Sequence, residues 1–125
     1  MITFEDFTKM FSVDLNGKMC IEIEFNIIGY PNYQYCWMGK MPIQRKTKLI
    51  NLQLFKKKNA RDIYWFGLPN KEQESYDYDN FENFCESSVF NGRSLKELWD
   101  YVELLSIDGC DPDERIKFYL NYSIK

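Results

Sequence analysis

At 125 residues, 45% of them hydrophobic and 18% aromatic, the chain is long enough for one domain with a real core, short for two, and too apolar to be disordered. It has 19 acidic and 16 basic side chains, a formal net charge of −3, and no histidine. That last absence excludes Ser–His and Cys–His nucleophile pairs and removes the commonest general base and metal ligand.

The elements follow in chain order. Thr3 can cap a helix in which Phe4, Phe7, Met10 and Phe11 fall at helical spacing, with Glu5 and Asp6 in the first turn where the dipole favours anions. With acids near its start and no apolar run after them, this opening does not read as a secretory signal. No stretch approaches the ~18 apolar residues of a membrane helix, so a cytoplasmic location is expected. Asn16-Gly17 predicts a type I′ turn, with Val13 and Leu15 supplying a short strand before it. After it, Met19, Ile21, Ile23, Phe25 and Ile27 alternate with Cys20, Glu22, Glu24 and Asn26, the period of a strand with one buried and one wet face. Gly29 to Pro42 reads as a ring-rich loop or irregular strand. Leu49 to Phe55 and Ile63 to Leu68 read as an antiparallel hairpin with a basic tip.

Three helix starts follow. Asp79-Asn80-Phe81-Glu82, Ser94-Leu95-Lys96-Glu97 and Asp111-Pro112-Asp113-Glu114 each place a capping side chain three residues before a Glu, and Pro112 suits a first helical position. Leu95, Leu98, Trp99 and Val102 form the apolar stripe of the middle helix; Ile116, Tyr119 and Leu120 form that of the last. Leu104 to Ile107 reads as a short strand before an Asp108-Gly109 turn. The expected fold is one α+β domain over residues 1–125. An antiparallel sheet of about four to five strands comes from the N-terminal half, covered by helices mostly from the C-terminal half.

No cofactor motif is present. The cysteines, Cys20, Cys36, Cys85 and Cys110, form no close pair of the kind zinc sites use, and read as small hydrophobes. Asp108, Asp111, Asp113 and Glu114 lack the register of a calcium loop. Asn91-Gly92-Arg93-Ser94 lacks the spacing of a phosphate loop. The reading is therefore non-catalytic.

Charge is segregated along the chain. From Phe25 to Arg61 there is no acid, and Lys40, Arg45, Lys46, Lys48, Lys56, Lys57, Lys58 and Arg61 give +8; Asp62 to Lys125 carries −8. Such asymmetry acts on partners rather than on fold. The acidic half offers a protein-binding surface of Tyr76, Asp77, Tyr78, Asp79, Glu82, Glu86, Asp100 and Glu103, with the tyrosines as anchors. The eight basic residues, with Tyr33, Tyr35 and Trp37 as stacking rings, are the alternative, a nucleic-acid or polyanion site. The overall negative charge opposes that alternative.

In size, acidic balance and missing chemistry, the chain resembles the immunity proteins of bacterial polymorphic toxin systems. Tyr64-Trp65-Phe66-Gly67, Phe90-Asn91-Gly92-Arg93-Ser94 and Ser106-Ile107-Asp108-Gly109 look like a family signature. The resemblance implies a small cytoplasmic domain that neutralises a partner toxin by covering its active site or interface, and the acidic helical half is expected to meet a basic partner, such as a nuclease toxin. It assigns no functional residue, cofactor or metal.

Overall fold

Helix α1 (Phe4–Phe11) starts where Thr3 permits: the Thr3 hydroxyl accepts from the Asp6 N–H and the Asp6 carboxylate accepts from the Thr3 N–H, a reciprocal cap. Its apolar stripe buries Phe7, Met10 and Phe11. A computed structural model describes residues 1–17, 19–43, 62–69 and 75–122, and the account is confined to them. Strands β1 (Ile21–Ile27), β2 (Cys36–Pro42), β3 (Asp62–Gly67), β4 (Tyr76–Tyr78) and β5 (Val102–Ile107) form one antiparallel sheet in the order β4-β3-β2-β1-β5. Helices α2 (Phe81–Glu86) and α3 (Pro112–Tyr122) belong to the same α+β fold, with a 3₁₀ turn at Trp99–Tyr101. Both edge strands come from beyond residue 75, so the second half completes the sheet as well as contributing helices.

The period-two pattern of β1 decides the layering. Ile21, Ile23, Phe25 and Ile27 are buried on one face, against Phe7, Phe11, Phe66, Phe84, Phe90 and Tyr119. Rings dominate this core: the Phe66 and Phe84 centroids lie 4.2 Å apart, Phe7 and Phe11 4.5 Å, Phe7 and Trp99 4.6 Å.

Three expectations change. Asn16 and Gly17 both have positive φ (56° and 67°), as a type I′ turn requires, yet Val13 and Leu15 form no strand. The Asp14 carboxylate instead accepts from the Asn16 N–H at 2.8 Å, and both edges of β1 are already taken by β2 and β5. At the middle helix start, Ser94 and Glu97 do exchange their two capping bonds (3.0 and 3.1 Å), but only one turn follows. Val102 is claimed by pairing with Ile27, so Leu95, Leu98, Trp99 and Val102 are all buried without forming an α-helix. The cap of α2 is Asn80, whose Oδ1 accepts from the Asn83 N–H at 2.8 Å, one residue later than Asp79. Gly29 to Pro42 resolves into a laced loop and β2. Leu49 to Phe55 and the basic tip from Lys56 to Arg61 lie outside the described residues.

Candidate interaction surface

The eight acidic-half residues do not share one surface. Tyr76 and Tyr78 turn inward, because their partners Phe66 and Tyr64 lie on the core face of β3; the Tyr78 hydroxyl is 2.6 Å from Ser87 Oγ. Both rings are partly buried against the core, and burial raises the Tyr78 pKa. Asp77 is opposite Trp65 on the other face and accepts from Ser75 Oγ at 3.0 Å. Asp79 sits before α2, and Glu82 and Glu86 are exposed on it. Asp100 and Glu103 belong to the β5 edge, four strand steps from β4 and roughly 19 Å from it at ~4.8 Å per step.

Lys40 leaves the basic set. It is 3% exposed, its Nζ donating to Phe11 O and Val13 O at 2.8 Å each, beneath the C-terminus of α1 and 3.9 Å from the Asp62 carboxylate. An ammonium held there satisfies the last carbonyls of a helix and favours its dipole. It presents no charge to a polyanion. Arg45, Lys46, Lys48, Lys56, Lys57, Lys58 and Arg61 lie outside the described residues.

A different surface emerges from the strand register. The side chains opposite the core fall in cross-strand rows: Gly67, Trp37, Glu24 and Ser106 in one, Trp65, Gly39 and Glu22 in the next, Asn26 and Glu103 in a third. Toward β3 the face is apolar, with Ile43 and Ile63 buried against Met41 and Trp65. Gly39 is required there, since a Cβ would stand 2.2 Å from Ile21 O and 2.8 Å from the Trp65 ring. Toward β1 and β5 the face is acidic. No Lys or Arg is among the described strand residues that point to this side.

At the border two rings stand in solvent, Tyr35 at 69% and Trp37 at 40% exposure. Trp37 is directly across the strand pair from Glu24. Tyr35 is held at φ 55°, a left-handed conformation costing a ring-bearing residue about 1–2 kcal/mol. Asn26 supports it, accepting the Tyr35 N–H at 2.7 Å while its amide donates to Glu103 Oε1 at 3.1 Å. One side chain thus fixes a strained ring residue and a carboxylate together. The signal for this surface was in the chain as the wet positions of β1, but its partner row needed the register.

Around the β5 edge the acidic border continues into an open groove of about 480 Å³, in the range of ligand clefts. Its floor includes Ile2, Ile28, Leu104 and Leu105, its carboxylates are Asp100, Glu103, Asp111 and Asp113, and neither Lys nor Arg is among the described residues that line it, though Met1 with the terminal amine is. The groove wall is fixed by Asp108, which sits at φ 54° in the turn before α3. Its carboxylate accepts from the Glu22 N–H (2.9 Å), from Arg115 Nε (3.0 Å) and from the Tyr119 hydroxyl. Burial first, then this hydrogen bond and the Asp108 charge, raise the Tyr119 pKa, so the hydroxyl stays protonated as a donor.

Cys36 and Cys85 are buried, and burial pushes both thiols up to about 12, far from a nucleophilic thiolate. Among the described residues no three of Cys, Asp or Glu gather as a metal ion would need, and no helix is long and apolar enough to cross a membrane. Comparison with family models, with characterised proteins and with solved structures returns no match.

Proposed function

We propose that the chain is a non-catalytic, cytoplasmic protein-binding domain that captures a basic partner, in the manner of an immunity protein covering a toxin. The part of the sheet face opposite the core that is formed by β1, β2 and β5 is its binding surface. The observation that carries this reading is Trp37, 40% exposed and facing Glu24 across the strand pair, on a side where no described strand residue is basic. A guanidinium laid on the indole gains a cation–π contact while pairing with the carboxylate, and Trp, Tyr and Arg are the residues that dominate binding energies at interfaces. Asn26 supports the reading further by immobilising Tyr35 and Glu103 before any partner arrives. Relative to the sequence expectation, the acidic surface keeps Glu103 and Asp100, gains Glu22 and Glu24, and loses the α2 and β4 residues.

A random-peptide display selection on the folded domain tests this. Enriched peptides should be rich in Arg and Lys. Trp37→Ala and Glu24→Lys should each weaken the best peptide by tenfold or more, and its association should slow as salt rises. Enrichment of neutral or acidic peptides, or unchanged binding by both folded variants, would overturn the reading.

A further inference from the structure

Strand β5 is an edge of the sheet, and the parity of its ladder tells which backbone groups face outward. Ile28 N donates to Tyr101 O at 2.8 Å and Asp108 N to Glu22 O at 2.7 Å, so Tyr101 and Asp108 form hydrogen-bonded pairs with β1. Alternation between those ends places Glu103 and Ser106 toward β1, with a bulge where the register shifts between Glu24 and Phe25. Val102 and Leu104, opposite Ile27 and Phe25, therefore direct their N–H and C=O away from the sheet. The Val102 N–H is used by Trp99 O, and the Ile107 N–H and C=O are used by Cys110. What remains on the outer edge is a short run, Val102 C=O with Leu104 N–H and C=O, and it opens into the groove between Ile2 and the start of α3.

We propose, resting on the reading above, that the basic partner enters this groove as an extended segment and pairs with β5 as a sixth strand. Main-chain bonds to Leu104 and Val102 would hold it. Apolar side chains on one face would rest on Ile28 and Leu105, and Lys or Arg at alternate positions would meet Asp100, Glu103, Asp111 and Asp113. Charge selects this occupant over a second copy of the chain. A two-fold β5–β5 pairing would set the same four carboxylates against themselves, which is how edge strands are kept from self-association. The Glu103 carboxylate joins the two surfaces. It borders the groove and is hydrogen-bonded to Asn26 on the face opposite the core, so residues flanking the added strand would reach across three strand spacings, or ~14 Å, to meet Tyr35 and Trp37.

The test uses the full chain and a ten-residue peptide alternating Arg and Val, together with two versions N-methylated at either the odd or the even positions. Saturating parent peptide should slow hydrogen exchange of the Leu104 amide at least tenfold. One methylation pattern should weaken binding by tenfold or more while the other stays within about threefold. Equal binding by all three peptides with no change at Leu104 would overturn strand addition while leaving charge-led capture on the face opposite the core intact. So would failure of the parent to bind while display-selected peptides bind through Trp37. A dimer of the chain that protects Leu104 without peptide would overturn the choice of occupant. Failure of every basic peptide, including selected ones, would instead bring down the reading on which this inference rests.

Discussion

Lys40 shows how far a residue's role depends on what folds over it. In the sequence it heads a basic block; in the fold its ammonium is enclosed and donates to two carbonyls at the end of α1. Substituting Met keeps the stem but leaves Phe11 O and Val13 O without that donor. Unsatisfied buried groups cost ~1–3 kcal/mol each. Lys40→Met is therefore expected to lose roughly 2–4 kcal/mol in urea unfolding, by a shift of midpoint at constant slope. A loss below about 0.5 kcal/mol would show that these bonds contribute little. Nothing local announces such a lysine: its burial follows from the approach of α1 to β2, a contact between residues 29 and 27 positions apart in the chain.

Among elements, those set by short-range pattern were legible. The alternation of β1, the cap and stripe of α1, the Pro112 start of α3 and the Asp108-Gly109 turn all stand where local chemistry places them. The element over Leu95 to Val102 departs from its helical pattern, because burial at helical spacing is also met by a turn followed by a strand. The Ser94–Glu97 box nucleates one turn, but pairing Val102 with Ile27 extends the sheet, and tertiary pairing outweighs a propensity of a few tenths of a kcal/mol per residue. The box still closes orphan backbone donors. Ser94 is buried, so Ser94→Ala should cost about 1 kcal/mol in thermal or urea unfolding, with circular dichroism otherwise unchanged. No measurable loss would mean that the turn is held by packing of Leu95 and Leu98 alone. The interaction surface was the least legible feature. Trp37, Glu24 and Glu103 are brought together by strand register and a bulge, both of which depend on long-range pairing.

For the whole molecule, burial of so many ionisable side chains sets a pH limit. Burial raises the thiols of Cys36 and Cys85 from 9.0 to about 12 and, with help from the Asp62 charge, the Tyr64 hydroxyl from 10.0 to about 12. Each group binds its proton more tightly when folded. Its contribution is thus complete below the unfolded value and is lost as pH rises toward the folded one. Stability should be level on approach to pH 9 and fall steeply between 9 and 12, as followed by urea midpoints; a flat profile to pH 11 would contradict the described core. The described acids on the sheet face opposite the core and around β5 adjoin exposed rings, whereas those on α2 do not, and this is where we propose that a basic partner is captured. The most direct test is a chemical-shift footprint on the labelled domain of an Arg-rich peptide selected against it. The account predicts shifts at the Trp37 indole and at the amides of Tyr35, Glu24, Glu103 and Leu104, with Glu82 and Glu86 silent. Shifts centred on α2 and β4, with Trp37 and Leu104 unmoved, would contradict it.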